Sequence, residues 1–381
     1  MNSNRDLKEI TGLKGMAALI VLSSHYTITF FPAIWNAEYQ LAHFPYLEKF
    51  IHRTPLYFFM NGSLMVNLFW CISGFLIGYS YYEKKNIEVL KKRIINRYCK
   101  LVIPITLSML LAYVCQVNNA FFNDDVACWT RSEWLEGFYQ FEPSLRMCII
   151  DGIMGVFFWG TGKYNPVLWT IKAEVFGICM SALVLLLWGT ADSKKKKRVY
   201  LFFSIIVNLF YQPLFAFLVG LLISDMYLEG IYITRLKAFF YVIISILLGS
   251  FLPIWKYIPS EIIISGEWGI NIGEIFRTIS AGTLLIIVLN SSILKKILKS
   301  PILVFFGNIS MYLYMYHFVI LCSFTCWCFY YMYSHTKMSY AYITLISSLA
   351  GIILTVFVSY FIKKIISGVS RKLSNAVNNY L

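Results

Sequence analysis

The sequence contains few charged residues. Only 14% of its 381 residues are Asp, Glu, Lys or Arg, whereas a soluble globular domain has about 25%. With 59% hydrophobic residues, such a chain cannot cover a surface that faces water. The composition therefore excludes a cytosolic enzyme, a disordered protein and a secreted disulfide scaffold. It predicts a polytopic integral membrane protein of the all-α class.

Several motifs are absent. The sequence has no Walker-type or dinucleotide-binding glycine loop, no internal repeat, no metal-ligand spacing of histidines and no paired CxxC, so we expect no bound metal. The nine cysteines are an odd number, and most fall in apolar segments where they pack as small side chains. Cys128 and Cys148 share one loop and are either paired or free. The first apolar run is too long for a cleaved signal peptide and predicts a retained signal anchor.

Ten apolar segments between charge clusters predict about ten transmembrane helices in a single domain, residues 1–381. These segments are 13–32, 63–82, 101–117, 167–189, 199–211, 213–228, 237–253, 275–291, 302–332 and 340–362. The fifth and sixth are short and meet at Gln212-Pro213, which also fits a helical hairpin that does not cross fully. The ninth is long enough to tilt, or to break near Gly307 or after His317.

The distribution of basic residues predicts that both termini are cytoplasmic. With the N-terminus inside, 24 of the 33 basic residues lie in cytoplasmic segments, as the positive-inside rule requires. The net charge of +14 is therefore mainly topological, and no nucleic-acid partner is expected. In this topology residues 33–62 and 118–166 form long outer loops, and residues 83–100 form a basic cytoplasmic loop. The expected location is a cell membrane, and the composition fits a bacterial one.

Ionisable residues inside a membrane span are costly and point to function. His25 follows Lys14 by eleven residues, which places the two on one helix face about 16 Å apart along the axis. This spacing suits a long ligand with a phosphorylated head and a reactive tail. His25 alone is equally compatible with a structural hydrogen bond to a neighbouring helix.

Two further ionisable residues fall in the outer halves of predicted spans. Glu174 has the same predicted depth as His25 and is a candidate to orient its imidazole, although a purely structural ion pair is the alternative. His317 follows Tyr312, Tyr314 and Tyr316. We expect at least one of these tyrosine hydroxyls to face the interior, while core packing accounts for most of the series.

The loop 83–100 concentrates seven basic residues, among them Arg93, Arg97 and Lys100. If the loop is helical, Arg97 and Lys100 lie on one face. Topogenesis and attraction to anionic lipid explain such a loop without a specific ligand. A phosphate site is the sharper alternative, because arginine forks match phosphate oxygens.

Together these segments resemble the membrane acyltransferase-3 family. Lys14 to His25 is similar to its R-x10-H opening, with lysine in place of arginine, and residues 69–76, FWCISGFL, resemble its FFxxSGFL segment. Arg97 to Lys100 resembles its R-x-x-R, again with a lysine. Residues 166–174, PVLWTIKAE, resemble P-x-x-W-[ST]-x-x-x-E, and residues 309–317 resemble ISYxxYxxH. The order of the five blocks is more specific than any one of them.

The resemblance implies transfer of an acyl group, commonly acetyl, from cytoplasmic acyl-CoA to a hydroxyl of an extracytoplasmic glycan or lipid-linked sugar. It implies that His25 is the catalytic base, that Ser73, Glu174 and His317 line the reaction chamber, and that Lys14, Arg97 and Lys100 hold the phosphates of CoA. Arg93 of the same basic loop is a further candidate phosphate ligand. It also implies a stand-alone form without the SGNH-type esterase domain of larger members. A direct transfer and a covalent acyl intermediate on His25 or Ser73 both remain open. The alternatives are a polysaccharide or lipid-linked sugar transporter or polymerase, and an acyltransferase for a small molecule.

Overall fold

The described part of the chain is all helical. A computed structural model describes residues 7–230, 233–250 and 271–380, and within these residues there is no β-strand, which confirms the all-α class. The α-helices in these residues are α1 (Lys8–Phe30), α2 (Ala33–Asn36), α3 (Pro45–Arg53), α4 (Gly62–Lys84), α5 (Glu88–Val117), α6 (Asn123–Thr130), α7 (Leu145–Ile150), α8 (Trp169–Trp188), α9 (Ser193–Phe210), α10 (Pro213–Leu228), α11 (Arg235–Gly249), α12 (Ile272–Asn290), α13 (Ser292–Leu298), α14 (Pro301–Ile320), α15 (Cys326–His335) and α16 (Tyr340–Tyr380).

Six helical stretches in these residues are long and apolar enough to cross a membrane. They are Gly62–Lys84, Glu88–Val117, Pro166–Trp188, Ile272–Asn290, Pro301–His335 and Tyr340–Asn378. The stretches Pro213–Leu228 and Leu236–Gly249 are apolar but shorter. The other two predicted spans also fall on helices, α1 and α9. The count of ten and the side of the termini stay predictions, and residues 251–253 of the seventh span, like Arg5, lie outside the described residues.

Three details refine the predicted boundaries. The basic segment 83–100 is mostly helical, because α5 begins at Glu88 and continues through Pro104. The fifth and sixth segments form two separate helices, α9 and α10, which are joined at Tyr211 and Gln212. The ninth segment runs through Gly307 without a break and changes to a wider π-helical turn at Leu321–Thr325, just after His317. Such turns are frequent at functional sites.

The chain divides into two compact units, each assembled from three separate stretches. Unit 1 comprises Met1–Ile20, Arg53–Asn96 and Ala173–Asn308, and unit 2 comprises Val21–His52, Arg97–Lys172 and Ile309–Leu381. The stretches of one unit are far apart in sequence, so neither unit corresponds to a continuous part of the single predicted domain.

In unit 1, α4 packs closely along α10. A Cβ atom on Gly74 of α4 would lie 2.2 Å from the carbonyl oxygen of Phe217, and one on Gly220 of α10 would lie 2.2 Å from that of Cys71. No side chain larger than hydrogen fits at either position, so the two glycines allow the helix backbones to touch. This close approach fixes the position of Ser73, the residue before Gly74.

Unit 2 has an apolar core at the C-terminal end of α1. Tyr26 and Phe30 pack there with Phe318 and Phe329 of the α14–α15 stretch and with Val126 of α6. The Tyr26 hydroxyl lies 3.2 Å from Oγ1 of Thr325, inside the π-helical turn. This core holds the end of α1 that carries His25 against α14.

Candidate active site

Two of the predicted site residues meet inside unit 2. Nε2 of His317, on α14, lies 3.1 Å from Nδ1 of His25, on α1, and the ring centroids are 4.8 Å apart. The His317 side chain is buried, with 1% of the residue exposed, whereas His25 is partly exposed. His25 is therefore the more accessible member of the pair, and the buried His317 contacts it through Nε2.

The backbone around the pair determines which nitrogen atoms carry protons. Nδ1 of His317 lies 3.0 Å from the carbonyl oxygen of Leu313, and Nδ1 of His25 lies 3.0 Å from that of Val21. A carbonyl oxygen only accepts hydrogen bonds, so each Nδ1 carries the proton and donates. The opposite tautomers would place two nitrogen lone pairs against two carbonyl oxygens.

These tautomers make His25 the donor and His317 the acceptor of the hydrogen bond between them. With its proton on Nδ1, His317 presents a lone pair at Nε2, and the Nδ1–H of His25 is shared between this nitrogen and the carbonyl of Val21. The lone pair of His25 is then on Nε2. An imidazole held through Nδ1 with a bare Nε2 has the arrangement of a general base, and His317 is placed to stabilise the imidazolium that forms.

Aromatic side chains surround the accessible ring of His25. The ring centroid of Trp134 lies 5.5 Å from that of His25, and Phe318 lies 6.4 Å away. Trp134 belongs to a short 3-10 turn, Glu133–Leu135, in the predicted outer loop 118–166. Trp134 was not among the predicted site residues, since nothing in the spacing of that loop relates it to His25.

Hydrogen bonds anchor the stretch of α14 that carries His317. The hydroxyl of Tyr314 bonds to Oγ1 of Thr170 at 2.8 Å and donates to the carbonyl of Val167. The hydroxyl of Tyr316 donates to the carbonyl of Pro104 at 3.1 Å. The prediction that at least one hydroxyl of the tyrosine series faces the interior is therefore confirmed, and the bonds of Tyr314 tie α14 to the start of the PVLWTIKAE segment.

The side-chain amide of Asn165 adds a third anchor. Nδ2 of Asn165 donates to the carbonyl of Met315 at 2.7 Å and to Oγ of Ser108 at 3.1 Å. Asn165 and Ser108 are fully buried. A buried amide with two such acceptors holds the backbone on either side of His317 in one position.

Two other predicted site residues meet inside unit 1. The hydroxyl of Ser73, on α4, donates a hydrogen bond of 2.8 Å to Oε1 of Glu174, on α8. Glu174 is buried, with 5% exposed, and Ser73 is partly exposed. Because His25 belongs to unit 2, the expected bond between His25 and Glu174 stays a prediction.

The four predicted phosphate ligands lie on two helices. Lys14 is on α1, and Arg93, Arg97 and Lys100 are on α5, where the helical spacing places Arg97 and Lys100 on one face. Arg93 donates to Oγ of Ser80 and is exposed, as is Lys100. Their role at CoA stays a prediction.

The two cysteines of the outer loop do not form a disulfide. Cys128 is exposed and Cys148 is buried, and both are free thiols. Within residues 7–230, 233–250 and 271–380, no three His, Cys, Asp or Glu side chains converge as metal ligands do.

A chain whose described residues are all helical, with several membrane-length apolar helices and a pair of histidines in contact, belongs to the class of multi-pass membrane proteins. The chain is a member of the acyltransferase-3 family, whose model, described as an acyltransferase domain, matches residues 7–364. The match covers both units and all five sequence blocks, so the protein is a membrane acyltransferase. Comparison with curated proteins and with solved structures gives no match.

Proposed function

We propose that this membrane acyltransferase moves an acetyl group from cytoplasmic acetyl-CoA to a hydroxyl of an extracytoplasmic polysaccharide or lipid-linked sugar, with His25 as the general base. In this proposal the protein resides in a bacterial plasma membrane with both termini in the cytoplasm. The observation that carries the proposal is the hydrogen-bonded pair of His25 and His317. It supports a base because it leaves Nε2 of the accessible ring as a proton acceptor.

The proposed reaction is a direct transfer. Nε2 of His25 removes the proton from the acceptor hydroxyl, and the oxygen attacks the thioester carbonyl. The resulting tetrahedral intermediate collapses with cleavage of the C–S bond, and the CoA thiolate leaves. The imidazolium returns its proton to this thiolate, so the products are the acetyl ester and CoA with a free thiol.

His317 lowers the free energy of the charged state of the base. While His25 carries the extra proton, its Nδ1–H donates to the lone pair at Nε2 of His317. A hydrogen bond to a charged group contributes about 1.5–3 kcal/mol. In this proposal a second neutral imidazole contributes to orienting the catalytic histidine, whether or not Glu174 also does so.

Ser73 and Glu174, inside unit 1, are the other predicted catalytic residues. The Ser73 hydroxyl donates to Glu174, so it stabilises an oxyanion only when that bond is exchanged for one to the substrate. The same geometry would activate Ser73 as a nucleophile, because a carboxylate that accepts from a serine hydroxyl is placed to take its proton. The two routes differ in whether an acetyl-serine forms.

The basic residues of α1 and α5 supply the proposed donor site. The proposed ligands of the CoA phosphates are Lys14, Arg93, Arg97 and Lys100. Lysine provides a point charge and not the two-pronged fork of arginine. We therefore expect Arg97 to dominate: its replacement by Gln raises the KM for acetyl-CoA and leaves kcat nearly unchanged.

The central experiment is label transfer in isolated membranes. Membranes that contain the protein should move labelled acetyl from acetyl-CoA to the host surface polysaccharide, and His25→Ala should reduce the rate by 10²-fold or more, since a general base contributes roughly 10²–10⁴. His335→Ala is the matched control, because His335 is exposed at the end of α15. Full activity of a well-folded His25→Ala protein would rule out His25 as the base.

A second measurement separates this proposal from a transporter or polymerase. Purified protein should unfold at a higher temperature in the presence of CoA, since a ligand of the folded state stabilises it. A sugar transporter has no reason to bind CoA. The absence of any shift at millimolar CoA, with no label transfer, would favour that alternative.

A further inference from the structure

Unit 1 contains a cavity of about 410 Å³ at a point where three helices end. α4 ends at Lys84, α8 at Trp188 and α10 at Leu228, and Tyr82, Gly189 and Leu228 line the cavity. The stretches that contain α4 and α8 are long enough to cross a membrane. The cavity therefore lies where these helices leave the apolar core, and its volume falls within the roughly 300–1,000 Å³ of small-molecule sites.

An ion pair in the cavity lining leaves one carboxylate oxygen of Asp225 without a hydrogen bond. Oδ1 of Asp225 forms a buried ion pair with Nζ of Lys196. Oδ2 of Asp225 is also buried, and no group among the described residues donates a hydrogen bond to it. Only 3% of Asp225 is exposed. A buried acceptor without a donor destabilises the fold by about 1–3 kcal/mol. A ligand that donates an N–H or O–H to this oxygen would remove that cost.

The helix ends around the unpaired oxygen of Asp225 favour a cationic donor. The C-termini of α4, α8 and α10 each place the negative end of a helix dipole near the cavity. Glu229 also lines the cavity, but its carboxylate is paired with Nζ of Lys197 at 3.2 Å. A hydrogen bond from Ser193, together with Lys197, lowers the pKa of Glu229 below its usual value. The charge of Lys196 is balanced by Asp225, and its ammonium lies 4.6 Å from the ring centroid of Tyr82.

The outer end of the cavity favours an anion. Lys85, which follows α4 in the left-handed conformation with φ of 47°, lines the cavity and is exposed. Leu228 lines it as well, with 43% of the residue exposed, and gives it an apolar edge. A ligand that fits both ends has an ammonium group inside, a phosphate near Lys85 and an apolar part beyond it.

We propose that this cavity binds the phosphoethanolamine headgroup of a membrane phospholipid. Its primary ammonium donates to Oδ2 of Asp225, its phosphate lies at Lys85, and its glycerol backbone passes Leu228. A choline headgroup carries the same phosphate and a similar charge but has no N–H to donate. The site is separate from the residues assigned to acyl transfer and does not depend on the side of the membrane on which it lies.

Lipid binding by the purified full-length protein tests the site. Native mass spectrometry should show that phosphatidylethanolamine binds about tenfold more tightly than phosphatidylcholine with the same acyl chains, the ratio that one charge-assisted hydrogen bond provides. Asp225→Asn should abolish this preference. Glu83→Gln is the control, because it removes an exposed carboxylate from the end of α4 without touching the cavity lining.

Two further variants keep the test decisive. Asp225→Asn leaves Lys196 without its partner, so the double variant Lys196→Met with Asp225→Asn removes the ion pair as a whole and should also lose the preference. Lys85→Gln should weaken both lipids equally and keep the tenfold ratio. Equal binding of the two lipids by the unmodified protein, or a preference that survives Asp225→Asn, would overturn the proposal.

The source of the headgroup is tested by competition. Water-soluble glycerophosphoethanolamine has the same polar group without acyl chains. We expect it to compete only at concentrations far above that of the lipid. If it displaces the lipid at equal concentration, the cavity takes a soluble phosphoamine and the assignment to a membrane lipid is wrong.

Discussion

His317 accepts a hydrogen bond from His25, and the carbonyl of Leu313 fixes the direction of this bond. Because Nδ1 of His317 donates to Leu313 at 3.0 Å, its Nε2 is left as an acceptor for His25, 3.1 Å away. A helix backbone thus sets the tautomer of one imidazole, and this imidazole sets the tautomer of the next. In the proposed reaction His317 therefore positions His25.

Replacement of His317 should separate acceptor function from packing. We expect His317→Leu, which fills space without an acceptor, to lower kcat about 10- to 100-fold, since about 1.5–3 kcal/mol of stabilisation of the imidazolium is lost. His317→Gln retains an oxygen near the position of Nε2 and should recover much of the activity. Equal losses in both variants would indicate a packing role alone.

Nitrogen NMR provides a direct measurement of the tautomers. The chain has five histidines, so selective ¹⁵N labelling of histidine gives few signals. Each signal is assigned by its loss from the variant in which that histidine is replaced. His25 and His317 should both show the Nδ1–H tautomer. A signal of the Nε2–H form for His317 would contradict the proposed direction of the pair.

The bond between Ser73 and Glu174 predicts different results for the two routes of transfer. In a direct transfer Ser73→Ala loses one oxyanion donor, and the rate falls about 10²-fold. In a covalent route the same change abolishes turnover. Incubation with labelled acetyl-CoA without acceptor, followed by denaturation, should leave no label on the protein. A label that requires Ser73 would establish the acetyl-serine route.

Much of the fold follows from local properties of the sequence. Apolar length predicts the long helices, because a membrane helix must satisfy its own backbone hydrogen bonds. It does not predict the short helices α2, α3, α6 and α7 of the outer loops. The length of the ninth segment allows a break after His317, but the helix continues there through a π-helical turn, which segment length does not predict. The division into two units is not, because it depends on contacts between stretches far apart along the chain.

The sequence identifies the individual residues of the candidate site but does not predict which of them contact one another. His25, Ser73, Glu174 and His317 stand out because they are polar groups in apolar segments or in family blocks. The orientation of His25 by Glu174 stays a prediction. The contacts that the structure shows, His317 with His25 in unit 2 and Ser73 with Glu174 in unit 1, do not follow from the sequence. Spacing within one helix says nothing about which neighbouring helix supplies the partner.

Trp134 offers a test of how the acceptor reaches His25. Its ring lies beside His25 and packs edge-on against Phe318, with centroids 5.6 Å apart. If the sugar stacks on this ring, Trp134→Ala should raise the KM for the acceptor about fivefold, the equivalent of roughly 1 kcal/mol, while the KM for acetyl-CoA stays constant. Trp134→Phe keeps an aromatic face, so its KM for the acceptor should lie between the values of the unmodified protein and of Trp134→Ala. A change confined to the KM for acetyl-CoA would place Trp134 on the donor path.

The predicted outer loops of unit 2 contain a half-buried histidine, His43, that should make stability depend on pH. The ring of His43 stacks on Tyr340 with centroids 3.8 Å apart, and its Nε2 lies 3.1 Å from the carbonyl of Thr130. Burial lowers the pKa of His43 below its ordinary 6.5, and Arg131 adds to this shift. The nearby carboxyl of Glu48 has its pKa raised by burial, although backbone donors from His43 and Phe44 oppose the change.

The two groups affect stability with opposite sign. As the pH falls through about 6.5, the unfolded chain binds a proton at His43 more readily than the folded protein, so the free energy of unfolding decreases. Closer to pH 4.5 the folded protein takes up a proton at Glu48 first, which offsets part of that loss. The melting temperature should therefore be lower at pH 5.5 than at pH 7.5. His43→Gln should reduce this difference, whereas His335→Gln, at an exposed position, should not. A difference that is the same in His43→Gln and in the unmodified protein would place the acid sensitivity elsewhere.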